Sequence, residues 1–294
     1  MFGILNIYKP KGITSHDVIS KLRKILKMKQ IGHTGTLDPM AEGVLPICLG
    51  KATKLIQYLD DTKAYKAFIK LGIETTTYDM EGEIIHSTPV ILDVEAVEKA
   101  LLTFSGEITQ TPPIYSAIHY KGKRLYEYAR ENIEVEEIPT RKVTIENIKL
   151  VEVLEQETEH PVLVVDMDCT SGTYVRSIAY DLGKLLGCGA TLSGLIRTRA
   201  GKFPVKNSVK LEDISEIYSN NKINEILIAP LDELTLNKIN INDIELEKIK
   251  KGQFLYQNNN SFKENERILL IYQDQLVSVA EFSEEKICPK NVFI

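Results

Sequence analysis

Two stretches of this chain repeat apolar residues at the helical period of about 3.6, which leaves few ways to build a core. Val18, Leu22, Ile25 and Leu26 make one stripe, and Val175, Ile178, Ala179, Leu182, Leu185 and Leu186 make another. A helix that is apolar on one side must bury that side against a second layer. Short apolar runs at 4–8, 44–49 and 162–168, and an alternating run at 65–71, read as the strands of that layer. Thr14 or Ser15 caps the first helix, which runs to about 28, and Asp93 caps another that runs to about 104. A short helix is expected near 52–59, after Gly50. The fold class is α+β: a mixed or antiparallel central sheet with flanking helices.

The chain has 294 residues, enough for a large domain and a small one. Residues 1–230 read as the large unit. Within it, 107–142 changes character, with Pro112-Pro113, clustered tyrosines and mixed charge, and reads as an insertion. Residues 231–294 read as a small α+β unit, with a helix near 242–251 and strands at 267–272 and 276–281 around Gln273-Asp274-Gln275. Its single glycine, Gly252, is fewer than a turn-rich β unit leads one to expect.

Composition removes several function classes. No run approaches the roughly 18 apolar residues of a membrane helix. The first residues lack the pattern of a signal peptide, so the cytoplasm is the default compartment. Cys48, Cys169, Cys188 and Cys288 are far apart and read as reduced thiols, and the five histidines show no metal-ligand spacing. The net charge is −5, but it is unevenly spread. Residues 1–54 hold nine Lys or Arg against three Asp or Glu, and 169–206 hold six against one. A polyanion is held by local basic surface rather than by total charge.

The segment richest in chemistry is Gly32-His33-Thr34-Gly35-Thr36-Leu37-Asp38-Pro39, followed by Gly43 and Leu45-Pro46-Ile47-Cys48-Leu49-Gly50. The glycines allow an unusual backbone path and Pro39 stiffens the bond after Asp38, so one carboxylate would sit on a rigid loop. Asp-Pro is also an ordinary turn starter, and the spacing alone leaves both readings open.

This segment resembles the motif around the catalytic aspartate of TruB-type tRNA pseudouridine synthases. Four further motifs agree in order and spacing over about residues 1–205: Lys9-Pro10-x-Gly12, Lys63-Ala64-Tyr65-Lys66, Ser171-Gly172-Thr173-Tyr174-Val175-Arg176-Ser177, and Leu195-Ile196-Arg197-Thr198-Arg199 with Gly201-Lys202-Phe203. The resemblance implies a pseudouridine synthase fold with a thumb at 107–142 and a PUA-like RNA-binding domain at 231–294. The implied reaction is isomerisation of uridine 55 in the T loop of tRNA, by base flipping, in a monomer needing no protein partner, metal or cofactor.

It also implies roles. Asp38 is the nucleophile and Arg176 its ion-pair partner. Tyr65 stacks on the uracil and helps remove the C5 proton. Tyr174 positions the base or the ion pair, Leu195 is an apolar pocket wall, and His33 fills the space left by the flipped nucleotide. Lys9, Lys21, Lys24, Lys51, Lys54, Arg197, Arg199 and Lys202 are candidates for phosphate contacts. Three rivals stand beside this reading: a non-catalytic RNA-folding factor on the same scaffold, a synthase working in a guide-RNA complex, and a nucleoside glycosidase. The last would want paired acids or a metal, and the glycine-rich loop offers only Asp38.

Overall fold

The computed structural model describes residues 1–131, 133–256 and 262–294. Its main sheet has ten strands among the described residues. Eight lie side by side in the order Val209–Lys210, Gly3–Lys9, Glu42–Leu49, Ala190–Ala200, Lys63–Leu71, Val162–Cys169, Arg141–Leu154 and Gly106–Gln110. Two of these pairings are parallel, Gly3–Lys9 with Val209–Lys210 and Glu42–Leu49 with Ala190–Ala200. The other five are antiparallel, so the sheet is mixed, as the sequence predicts.

Each helix lies where its apolar stripe finds cover. The helix Ser15–Leu26 starts at a capping box: the Thr14 side chain accepts from the Asp17 amide, and the Asp17 carboxylate accepts from the Thr14 amide. Its Val18 and Leu22 pack on Leu5, Ile7, Leu45 and Ile47 of the sheet. The helix Val175–Leu186 buries Ile178, Ala179 and Leu182 against Leu163, Val165 and Leu192. Leu185, which fits the same stripe in sequence, is 59% exposed. The segment near 52–59 is a 3-10 helix, Gly50–Tyr58. No described helix is long and apolar enough to cross a membrane.

The insertion is narrower than the sequence suggests. Residues 107–110 belong to the edge strand of the sheet and 141–142 to the strand paired with it, because main-chain pairing there outweighs the polar composition. The excursion proper runs from 111 to 140. It carries a two-residue hairpin, His119–Tyr120 with Lys123–Arg124, and the helix Leu125–Arg130.

The described C-terminal residues form a five-stranded sheet. Its strand Arg267–Tyr272 is buried on both sides. Ile268 and Leu270 face a local core with Ile249 and Val277, while Leu269 and Ile271 join Ile4, Val44 and Cys48 of the main sheet and Leu55 of the 3-10 helix. The sparse glycine is explained by its turns, where non-glycine residues take the left-handed conformation: Asn265, Gln273, Asp274, Glu284 and Glu285 all have positive φ.

Candidate active site

Asp38 sits between the strands Ile31–His33 and Glu42–Leu49, on a loop held from beneath by buried donors. The Arg197 guanidinium donates to the carbonyls of Val44 at 2.8 Å, Thr36 at 3.1 Å and Gly35 at 3.2 Å. Ser15 Oγ donates to the Leu37 carbonyl at 3.1 Å and accepts from the Leu37 amide at 2.9 Å. The Lys9 ammonium donates to Pro10, Ile13 and Pro39, and the Gly12 amide also donates to Pro39. Rigidity therefore comes from hydrogen bonds to successive peptide groups. It does not come from left-handed glycines: neither Gly32 nor Gly35 has positive φ. The demanding glycine is Gly43 at φ +112°, where a Cβ would meet the Arg197 carbonyl oxygen at 2.3 Å. Its bareness lets the strand Ala190–Ala200 come close enough for Arg197 to reach the loop.

The Asp38 carboxylate meets Arg176 Nη2 at 3.0 Å. Arg176 lies on the first turn of the helix Val175–Leu186 and is 7% exposed, whereas the Asp38 side chain is 33% exposed. A buried guanidinium thus presents a more open carboxylate to the cleft. The same guanidinium meets Asp79 at 3.5 Å and donates to the Tyr115 carbonyl at 3.2 Å. Asp79 is fixed in turn by the Thr77 hydroxyl at 2.6 Å and the Glu81 amide at 3.1 Å. Nothing in the sequence singles out Asp79. It comes into place because the 77–81 turn is tied to the strand Ala190–Ala200 through Leu192, and because Tyr78, at φ +64°, stacks on Tyr180 at 3.9 Å.

One cavity of about 740 Å3 gathers Asp38, Arg176, Asp79, Tyr65, Tyr174, Leu195 and His33. That volume suits a nucleotide-sized ligand. Tyr65 stands in register with Arg197 across the strand pair, and burial raises its ionisation, so its ring faces the cavity as a neutral phenol. Burial, then the neighbouring Arg197, lowers the ionisation of His33, leaving a neutral imidazole. Tyr174 precedes the Arg176 helix. Its amide and carbonyl are both held by Gln110, and the Arg141 guanidinium lies over its ring at 5.3 Å. From the excursion, Tyr115, Ser116, Arg124, Tyr126 and Arg130 close one wall. Residues at the N-terminal ends of the Ser15–Leu26 and Val175–Leu186 helices also line the cavity.

The phosphate candidates divide. Lys9 and Arg197 are fully or nearly fully buried, so the expectation that they touch the RNA backbone fails. Their charge serves the loop carbonyls, which only an interior donor can reach. Burial holds the Lys9 ammonium down to about 8, with Asp38 opposing that shift and Arg197 adding to it. Arg199 is engaged by Asp168 at 2.8 Å and by Thr62, and Lys51 holds the carbonyls of Phe293 and Ile294. Lys54 and Lys202 remain on the surface outside the cavity, Lys202 donating to the Asp232 carbonyl. Lys21 and Lys24 are exposed and line a different cavity.

Residues 23–175 match the TruB family pseudouridylate synthase N-terminal domain, and residues 176–236 match the tRNA pseudouridylate synthase B C-terminal domain. The chain belongs to the TruB family. The tRNA pseudouridine synthase B of Ligilactobacillus salivarius is 42% identical, over 97% of this chain and 96% of that protein. The synthase B of Staphylococcus saprophyticus is also 42% identical, over 99% of each. Among solved structures, the Cbf5-Nop10-Gar1 complex superposes with a TM-score of 0.72 at 25% identity, covering 100% of this chain and 85% of that one. Membership of the TruB family makes the chain a pseudouridine synthase, and the sheet, helices and β-rich C-terminal part are those of its fold.

Proposed function

We propose that this protein isomerises uridine 55 in the T loop of tRNA to pseudouridine, acting alone and with Asp38 as the nucleophile. The observation that carries this reading is the Asp38–Arg176 ion pair at 3.0 Å in a nucleotide-sized cavity walled by Tyr65, Tyr174 and Leu195. Its relatives bear the name tRNA pseudouridine synthase B.

The reaction breaks the N1–C1′ bond of uridine, turns the uracil, and joins C5 to C1′. C5 then loses its proton and N1 gains one, so the product is an isomer and no oxidant or reductant is consumed. An ionised carboxylate serves this course either by bonding to C1′ or by promoting departure of its substituent. Arg176 pairs with the Asp38 carboxylate and fixes its aim. Tyr65, as a neutral phenol, is suited to stacking and hydrogen bonding. The target uridine must leave its stack, at roughly a few kcal/mol, which contacts to aromatic walls and phosphates offset.

The excursion at 111–140 is the segment we assign to gripping the T arm. Its cation–aromatic contacts, Lys123 with Tyr128 and Arg130 with Tyr126, put bases and rings on one small element. We assign residues 1–230 as the catalytic unit and 231–294 as a PUA-like RNA-binding module.

The test is Asp38→Ala on an unmodified T-arm stem-loop. Pseudouridine formation is expected to vanish while RNA binding stays within about threefold, since the pair acts on the transition state. Normal conversion by the variant removes the nucleophile assignment. Tight binding with no conversion by the wild type, on any tRNA, makes the chain an RNA-folding factor instead.

A further inference from the structure

A second cavity, of about 500 Å3, lies beside the catalytic cleft, between the helix Ser15–Leu26 and the residues after the strand Val209–Lys210. Its floor is apolar, made by Tyr8, Ile25 and Leu211. Its rim carries Lys21, Lys24 and Lys210, all exposed. One carboxylate, Glu212, also faces it, 3.7 Å from the Lys210 ammonium. The rim is therefore cationic on balance.

The floor is positioned by the catalytic unit itself. The Tyr8 hydroxyl donates to Glu42 at 2.8 Å, and burial together with that carboxylate pushes its ionisation up to about 12, so the ring stays neutral. Tyr8 immediately precedes Lys9, whose ammonium holds the Pro39 carbonyl next to Asp38. The cavity and the catalytic loop thus lie on either side of one strand end.

An apolar floor under a ring of lysines matches a nucleotide in two ways. The base finds a face to stack on, and its flanking phosphates find cations. The target uridine has its own place beside Asp38, so this occupant is a different nucleotide. We propose that the cavity receives an unpaired nucleotide of the same tRNA from outside the T stem-loop. Its base rests on Tyr8, Ile25 and Leu211, and its phosphates meet Lys21, Lys24 and Lys210. This rests on the tRNA reading above and deepens it: the site lets the enzyme distinguish whole tRNA from an isolated stem-loop.

The experiment compares an unmodified full-length tRNA transcript with an isolated T stem-loop. In the triple variant Lys21→Ala, Lys24→Ala and Lys210→Ala, KM for full-length tRNA is expected to rise about tenfold or more. The slope of log KM against log salt should shrink by about 2, at roughly 0.7 per lost contact. Stem-loop conversion should stay at the wild-type rate. Ile25→Asp, checked for an unchanged melting temperature, should reproduce the rise on tRNA by spoiling the floor without removing a cation. Equal losses on both substrates overturn the proposal, because the lysines would then serve the main cleft. No change on full-length tRNA overturns it too, and leaves the cavity to another class of ligand. If the wild type converts neither substrate, the tRNA reading itself falls and takes this one with it.

Discussion

Arg176 meets two carboxylates in the wall of the cleft, one partly open and one largely buried. The Asp79 side chain is 5% exposed, against 33% for Asp38, so Asp79 is placed to hold the guanidinium and Asp38 is the carboxylate we propose as the nucleophile. Asp79→Asn keeps the shape but removes the charge that anchors Arg176 from behind. It is expected to lower kcat by about 10- to 100-fold, equivalent to roughly 1.4–2.7 kcal/mol, with KM within about threefold. A change confined to KM would show that Asp79 acts in binding instead. Buried lysines at the same end of the sheet give a pH signature. Burial holds both Lys9 and Lys63 down to about 8 from 10.5, with Arg197 also lowering Lys63. Below about 8 these lysines are charged whether the chain is folded or unfolded, and they contribute no pH dependence. Above it the unfolded chain keeps protons that the folded one has shed, so stability rises with pH. From about 9 the buried Cys48 thiol, raised to about 12, opposes the rise because the folded state then holds the extra proton. Denaturant midpoints should therefore climb between pH 8 and 9. A flat or falling midpoint there would show that the carbonyls around Lys9 outweigh its burial.

At the scale of elements, close approach and turn chemistry decide the geometry. Gly183, in the helix that carries Arg176, leaves no room for a side chain: a Cβ would meet the Ala190 amide nitrogen at 2.1 Å. That contact presses the helix onto the start of the strand bearing Leu195 and Arg197. The C-terminal hairpin between Arg267–Tyr272 and Gln275–Ser283 turns through Gln273 at φ 47° and Asp274 at φ 59°. Two left-handed residues in a two-residue loop call for Asn-Gly. Replacing Gln273-Asp274 with Asn-Gly should relieve roughly 1 kcal/mol of backbone cost. The gain should appear as a higher melting temperature with unchanged conversion of a T stem-loop. A lower melting temperature would mean that the present side chains hold the turn.

Across the whole molecule, the two sheets share a core instead of meeting through a linker. Leu269 and Val279 of the C-terminal sheet lie in one cluster with Ile4 and Cys48 of the main sheet and Leu55 of the 3-10 helix, all at 0% exposure. Lys51 grips the last two carbonyls of the chain, and Asn291 donates to Tyr58 at 3.0 Å. Leu269→Ala should cost about 2–5 kcal/mol through lost burial and the cavity left behind. The loss should appear in a single calorimetric transition, since both sheets lean on that residue. Two separate transitions would show that the C-terminal sheet folds on its own.

The sequence alone determined the elements whose signals are local. The helices at Thr14 and Asp93 begin at their capping side chains, the alternating run at 65–71 became a strand buried at every second residue, and the hairpin centred on Gln273-Asp274 formed where it was expected. The same text placed Asp38 on a fixed loop and paired it with Arg176, through resemblance of whole motifs. Only tertiary structure decided which charges face the RNA. Lys9 and Arg197 are basic residues in basic segments, indistinguishable in sequence from Lys21 or Lys24, yet packing turns them inward to the carbonyls of the Asp38 loop. Asp79 was invisible for a related reason: it is joined to Arg176 across 97 residues by strand register and a stacked tyrosine pair, and no local pattern records such a contact. Sequence specifies segments through short-range geometry, whereas the direction of a long charged side chain depends on what the rest of the fold sets beside it.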